Sequence, residues 1–173
     1  MDKAFFLDKD GTLVDNSEYP EVIPMDKLLT NEIIDGLKLM QGKGYKLFIV
    51  SNQPWISRGI FSYEEIQKKF ESVINQLESL GIIIQDYLFC PHQNSDNCNC
   101  RKPSPGMILD LAKKHKIDLN NSFMIGDTDK DITAGEKAGV KTALVLTGDG
   151  KKFENIVKPT YILKNLNEIK KII

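Results

Sequence analysis

Six short apolar runs recur along this chain of 173 residues: Ala4–Leu7, Lys46–Val50, Asp86–Phe89, Ser122–Ile125, Thr142–Leu146 and Thr160–Leu163. Each is bounded by charge, glycine or turn residues and reads as a buried strand. Segments with helical period lie between most of them. Asn31–Gln41 brings Ile33, Ile34, Leu37, Leu39 and Met40 near one face. Ser62–Leu80 opens on the capping box Ser62-Tyr63-Glu64-Glu65 and stops before Gly81. Met107–His115 follows Pro103-Ser104-Pro105-Gly106, Lys130–Ala138 ends at Gly139, and the last ten residues predict a terminal helix. Alternating strands and helices impose βαβ crossovers. The expected fold is α/β: a Rossmann-like, doubly wound, mostly parallel sheet. There is no internal repeat and no insertion large enough for a second domain. One domain over residues 1–173 is expected, with a minimal cap made of small loops.

A formal net charge of −1, with Lys and Arg dispersed, gives no general attraction to nucleic acid or anionic lipid. No apolar stretch is long enough to span a bilayer, and Met1-Asp2-Lys3 leads directly into the first strand. Three cysteines leave one over in any disulfide scheme, which suits a reducing compartment and another use for the thiols. These features predict a cytoplasmic monomer that handles a small molecule.

The chemistry starts where the first strand ends, at Asp8-Lys9-Asp10-Gly11-Thr12. Ligands of open α/β sheets bind beyond the carboxyl ends of the strands. Alternation along a strand sends Asp8 and Asp10 roughly the same way, and their repulsion favours a bound cation or a proton. The second strand runs into Ser51-Asn52-Gln53, a hydroxyl and two amides. Arg101-Lys102-Pro103 places two cations just before a helix. The fourth strand runs into Gly126-Asp127-Thr128-Asp129-Lys130-Asp131, which adds hard oxygen ligands of the kind Mg²⁺ prefers.

All three cysteines and one of the two histidines fall within Cys90–Cys100. Cys90, His92, Cys98 and Cys100 make a closed Cys₃His set for a structural Zn²⁺ in a loop over about residues 90–100. His115, in a lysine-rich helical segment, is expected to be solvated.

Taken in order, the acid pair, the hydroxyl, the lysine and the second acid pair resemble the four motifs of the haloacid dehalogenase-like superfamily. The resemblance covers nearly the whole chain. It implies that Asp8 attacks phosphorus to form an aspartyl-phosphate, and that Asp10 protonates the leaving oxygen and then activates water. It implies that Ser51 and Lys102 hold the transferring group. Mg²⁺ would bind Asp8, the main-chain carbonyl of Asp10 and Asp127, with Asp131 in support.

Within the superfamily, the zinc loop resembles those of the heptose bisphosphate and histidinol-phosphate phosphatases. Asn52-Gln53-Pro54-Trp55-Ile56-Ser57-Arg58-Gly59, the basic turn from Arg101, and Tyr19 favour the heptose enzymes. That resemblance makes Tyr19, Asn52, Gln53, Arg58, Arg101 and Thr128 the substrate-binding candidates. Arg58 and Arg101 are the cations for a distal phosphate. Pro54-Trp55 departs from the small Ser-Gly of those enzymes, and Thr128 stands where they often carry lysine. The rivals are a receiver-like phospho-acceptor module, a zinc-dependent nucleic-acid binder and a polynucleotide end phosphatase. A receiver phosphorylates an aspartate after its third strand, where this chain has Cys90; the other two need a basic groove.

Overall fold

A computed structural model of the chain describes residues 1–14 and 29–173, so Tyr19 lies outside the described residues. The strands are β1 (Ala4–Leu7), β2 (Lys46–Asn52), β3 (Ile84–Cys90), β4 (Phe123–Gly126), β5 (Lys141–Val145) and β6 (Tyr161–Leu163). The helices are α1 (Asn31–Gly42), α2 (Tyr63–Ser79), α3 (Gly106–His115), α4 (Asp129–Ala138) and the short α5 (Gly150–Phe153). All five strand pairings are parallel, in the order β3-β2-β1-β4-β5-β6. This is the doubly wound order, and the chain changes direction across the sheet between β1 and β4.

A strand buried on both faces needs apolar side chains at every position, and period two then assigns them to opposite layers. Phe5 and Leu7 of β1 join Leu47, Ile49, Phe123 and Ile125 under α1, α2 and the C-terminal turn. Ala4 and Phe6 join Phe48, Val50 and Met124 under α3 and α4. Phe5 stacks on Phe123 at 4.9 Å between ring centres, and Phe6 stacks on Phe48 at 5.5 Å. Carried one residue further, the same alternation puts Asp8 on the α3/α4 side.

Two strands are longer than their apolar runs. Ser51 and Asn52 pair with Phe89 and Cys90, so β2 and β3 carry the ladder past the last apolar residue of β2. Main-chain hydrogen bonds, which periodicity does not register, set those ends. The α2 capping box is present: Ser62 Oγ accepts from Glu65 N, and Glu65 accepts from Ser62 N. The C-terminal element is a 3₁₀ helix over Leu166–Lys171 rather than an α-helix. Its two buried residues, Leu166 and Ile169, lie three apart and so share one face of a three-residue turn. That face docks on α1 at Gly36, where an added Cβ would lie 2.5 Å from the Leu166 carbonyl oxygen.

His115 is not solvated as expected. It is half-buried, its Nε2 lies 2.8 Å from Asp86 Oδ2, and its ring packs 4.9 Å from Phe48. Asp86, on the outer strand β3, also pairs with Lys114, so β3 supplies the anion for the end of α3.

Phe123, 2% exposed, links β4 to the aromatic stack. Phe123→Ala is expected to cost about 3–5 kcal/mol and to lower Tm by roughly 10–15 °C in a calorimetric melt. A shift of only a degree or two would show that the stack is not central to the core.

Candidate active site

The carboxyl ends of β1 and β4 meet at the switch point of the sheet, and each is followed at once by an aspartate. Asp8 is 7% exposed and Asp127 is 1% exposed. Asp131 enters from the first turn of α4 and is also 1% exposed. One carboxylate oxygen from each of the three lies within 4.8 Å of the others. The turn just before α3 contributes Lys102, whose Nζ lies 2.6 Å from both Asp8 Oδ1 and Asp131 Oδ1 and donates to Val50 O at 2.8 Å.

The lysine is clamped through its main chain as well as its tip. Asn52 Nδ2 donates to Lys102 O at 2.9 Å, and Lys102 N donates to Asn52 Oδ1 at 3.0 Å. Asn52, named from sequence as a substrate contact, thus spends both ends of its amide on the Lys102 backbone. Gln53, named in the same way, is fully buried. Its Nε2 donates to Asp10 Oδ2 at 2.7 Å and to Ser51 Oγ at 3.0 Å, so it orients the two groups from beneath. Lys9 pairs with the other oxygen of Asp10.

Burial is the largest influence on Asp8 and raises it; Lys102 pulls it down, and Asp131, Asp127 and Asp10 raise it further. The outcome is an Asp8 carboxyl pushed up to about 8. Asp127 is pushed up to about 7, by burial first and by Asp131, against the pull of the Asp149 N–H. Burial opposes the charge of Lys102, but Asp131 and Asp8 outweigh it and hold the ammonium protonated above the usual lysine range. Crowded carboxylates that resist ionising are what a divalent cation relieves.

One buried oxygen tests whether Mg²⁺ fits. Asp127 Oδ2 accepts from Asp149 N at 2.8 Å, whereas Asp127 Oδ1 is buried with no hydrogen-bond partner. Asp131 is held differently: Oδ2 accepts from Thr128 N and Thr128 Oγ1 at 3.0 and 2.7 Å, and Oδ1, buried without a hydrogen bond, forms an ion pair with Lys102 at 2.6 Å. Asp8 and Asp127 therefore offer the available oxygens, and Asp131 stands behind them. The turn beneath Asp127 leaves no room for a side chain. At Gly148, φ is +52° and a Cβ would lie 2.2 Å from Asp127 Oδ2.

The four acids Asp8, Asp10, Asp127 and Asp131 and Lys102 line a cavity of about 260 Å³ together with Ser51, Asn52, Pro54, Trp55, Arg101, Thr128 and Lys130. Arg58 is not among the lining residues. It is exposed, with its guanidinium over the Trp55 ring at 5.2 Å. Sequence reasoning passed over Lys9, Lys130 and the Thr147–Asp149 turn. Lys130 had a signal: it lies three residues after Asp127 and one before Asp131.

Cys90, His92, Cys98 and Cys100 converge beside this cavity. Cys90 Sγ lies 3.6 Å from Cys98 Sγ and 3.0 Å from Cys100 Sγ, and His92 Nδ1 lies 3.4 Å from two of the sulfurs. A tetrahedral Zn²⁺ with Zn–S bonds of about 2.3 Å sets sulfurs roughly 3.8 Å apart. The cluster is close to that size. Burial works against the Cys98 thiolate, but the Arg101 N–H and the neighbouring thiols pull Cys98 down to about 7. Burial pushes Cys90 up. The loop also holds the rim. Arg101 Nε donates to Asn94 Oδ1 at 2.7 Å and Nη1 to His92 O at 3.0 Å, while Gln53 N donates to Cys90 O at 2.7 Å.

A HAD-hydrolase-like family model matches residues 99–169. The D-glycero-beta-D-manno-heptose-1,7-bisphosphate 7-phosphatase of Pasteurella multocida is 37% identical over 185 aligned residues, covering 100% of this chain and 97% of that protein. The D-glycero-alpha-D-manno-heptose-1,7-bisphosphate 7-phosphatase of Photorhabdus laumondii is 40% identical over 154 residues, 84% of each chain. Among solved structures, the D,D-heptose 1,7-bisphosphate phosphatase of B. bronchiseptica, complexed with magnesium and phosphate, superposes with a TM-score of 0.86 at 26% identity. That match covers 98% of this chain and 96% of the other. With this fold and this run of similarity, the chain belongs to the haloacid dehalogenase-like phosphoric monoester hydrolases, in the family of the D-glycero-D-manno-heptose-1,7-bisphosphate 7-phosphatases.

Proposed function

We propose that this chain hydrolyses the 7-phosphate of D-glycero-D-manno-heptose 1,7-bisphosphate, with Asp8 as nucleophile and Mg²⁺ as the catalytic ion. One observation carries the reading: Asp127 keeps a buried oxygen without a partner inside an acid cluster shared with Asp8 and Asp131 that already holds a lysine. The names of the relatives supply the substrate.

In this mechanism Asp8 forms a bond to phosphorus while the bond to the sugar oxygen breaks, and that oxygen takes a proton from Asp10. Asp10 then accepts a proton from a water whose oxygen attacks the phosphorus of the aspartyl-phosphate. Inorganic phosphate leaves and Asp8 is restored. Ser51 and Lys102 hold the phosphoryl oxygens, Gln53 and Lys9 hold Asp10, and Asn52 holds Lys102. Mg²⁺, bound by Asp8 and Asp127, supplies charge neutralisation at the phosphoryl group. Zn²⁺, bound by the Cys₃His set, supplies a fixed loop against which Arg101 is aimed.

The reading takes residues 1–173 as one domain working as a cytoplasmic monomer on a small phosphorylated sugar. The three cysteines are unpaired, which suits a reducing compartment. Among the described residues, no helix is long and apolar enough to cross a membrane.

Asp8→Asn is expected to cut phosphate release at least roughly a thousandfold on either anomer of the bisphosphate while leaving the circular dichroism spectrum unchanged. Turnover within tenfold of wild type would remove Asp8 as nucleophile. Mg²⁺ affinity should depend on pH. Below about 7 both Asp8 and Asp127 hold protons in the metal-free protein, and the cation must displace them. Calorimetric titrations should therefore show Mg²⁺ binding at least roughly tenfold tighter at pH 8 than at pH 6, with proton release; a flat profile contradicts the proposed ligands. Cys98→Ser should lower the zinc content measured by elemental analysis and, with it, Tm. A zinc-free variant melting with the wild type would dismiss the structural ion.

A further inference from the structure

We propose that Lys130 binds the substrate's second, non-transferring phosphate together with Arg101, and that Arg58 does not. The proposal rests on the bisphosphate reading above and assigns a binding residue to it. The cavity is lined by three basic side chains among the described residues: Arg101, Lys102 and Lys130. Lys102 is occupied by Asp8, Asp131 and Val50 O. Arg101 has two of its nitrogens held by the zinc loop, which fixes its direction and leaves its remaining N–H groups for a ligand. Lys130 lines the cavity half-buried, with no ion pair or side-chain hydrogen bond among the described residues.

The position of Lys130 makes that freedom informative. It is the second residue of α4, where the helix dipole disfavours a cation. Its neighbours Asp129 and Asp131 are acids of the kind such a helix start prefers. Asp131 is turned onto Thr128 and Lys102, so it does not neutralise Lys130. A dianion in the cavity would satisfy the ammonium and the α4 N-terminus together. Nearer Asp8, Lys102 and the proposed Mg²⁺ already serve the transferring phosphate. Lys130 is thus left for the distal one. Trp55 and Pro54 supply the apolar wall of the cavity, and the exposed Arg58, which is not among the lining residues, packs over the Trp55 ring.

The test compares Lys130→Met, Lys130→Arg and Arg58→Met with wild type, using heptose 1,7-bisphosphate and p-nitrophenyl phosphate. The readout is selectivity, the ratio of kcat/KM for the two substrates. Losing one charge-assisted contact should lower the selectivity of Lys130→Met by roughly ten- to a hundredfold, mainly through KM for the bisphosphate. Lys130→Arg should recover most of it, and Arg58→Met should keep the wild-type ratio. Unaltered selectivity in Lys130→Met, or an equal loss in Arg58→Met, overturns the assignment. A wild-type enzyme with no preference for the bisphosphate overturns the substrate reading itself, a result distinguishable from either.

Discussion

Burying three carboxylates at one point of a sheet is possible only because one ammonium is buried with them. Lys102 is 3% exposed and meets Asp8, Asp131 and a main-chain carbonyl. A buried pair of this kind adds little stability over a well-packed apolar replacement, while removing one partner costs about 3–5 kcal/mol. Its value here lies in geometry. The lysine ties the loop before α3 to the ends of β1 and β2 and to the first turn of α4, and each strand end is held relative to the others through it. Asn52 fixes the lysine's main chain, so tip and root are set independently.

The zinc loop extends this scheme to the rim. Cys90 is the last residue of β3, and its carbonyl accepts from Gln53 N, next to the residue that grips Lys102. His92 O and Asn94 hold Arg101, and Gln93 Nε2 reaches Ser57 O at 3.4 Å. The segment after β2, which carries Trp55, is thereby fastened to the same loop. Such an anchor matters for an exposed turn like that over residues 57–60, since short loops bury too little surface to fix themselves.

The sheet was legible because buried parallel strands demand unbroken apolar runs, and all six strands stand where those runs do. Strand ends were less so, because Ser51, Asn52 and Ile84 belong to the ladder through main-chain bonds rather than polarity. Asp8 and Asp127 were legible together, since each follows a strand and the sheet gathers such ends, and Lys102 was legible from the stiff Pro103-Ser104-Pro105 turn ahead of α3. The amides carry partners that sequence did not show: Asn52, which lines the cavity, holds the Lys102 main chain, and the buried Gln53 holds Asp10 and Ser51. Sequence gives the type of a polar side chain but not which buried group lacks a partner. Arg58 drew attention as a cation near β2, yet the turn that carries it faces Trp55. Lys130 was overlooked between two aspartates, and only the engagement of Asp131 elsewhere sets it apart.

The support of Asp127 comes from a main-chain N–H, that of residue 149, delivered by a turn whose preceding glycine lies against the carboxylate. The Asp149 side chain itself points to Lys152 at the surface. Divergence among related chains should accordingly be uneven along this turn: drift at 149 leaves the amide where it is, whereas any branched replacement at 148 intrudes on the acid cluster. The constraint on this part of the site is written in backbone, and its trace in an alignment would be an invariant absence of a side chain beside a variable one.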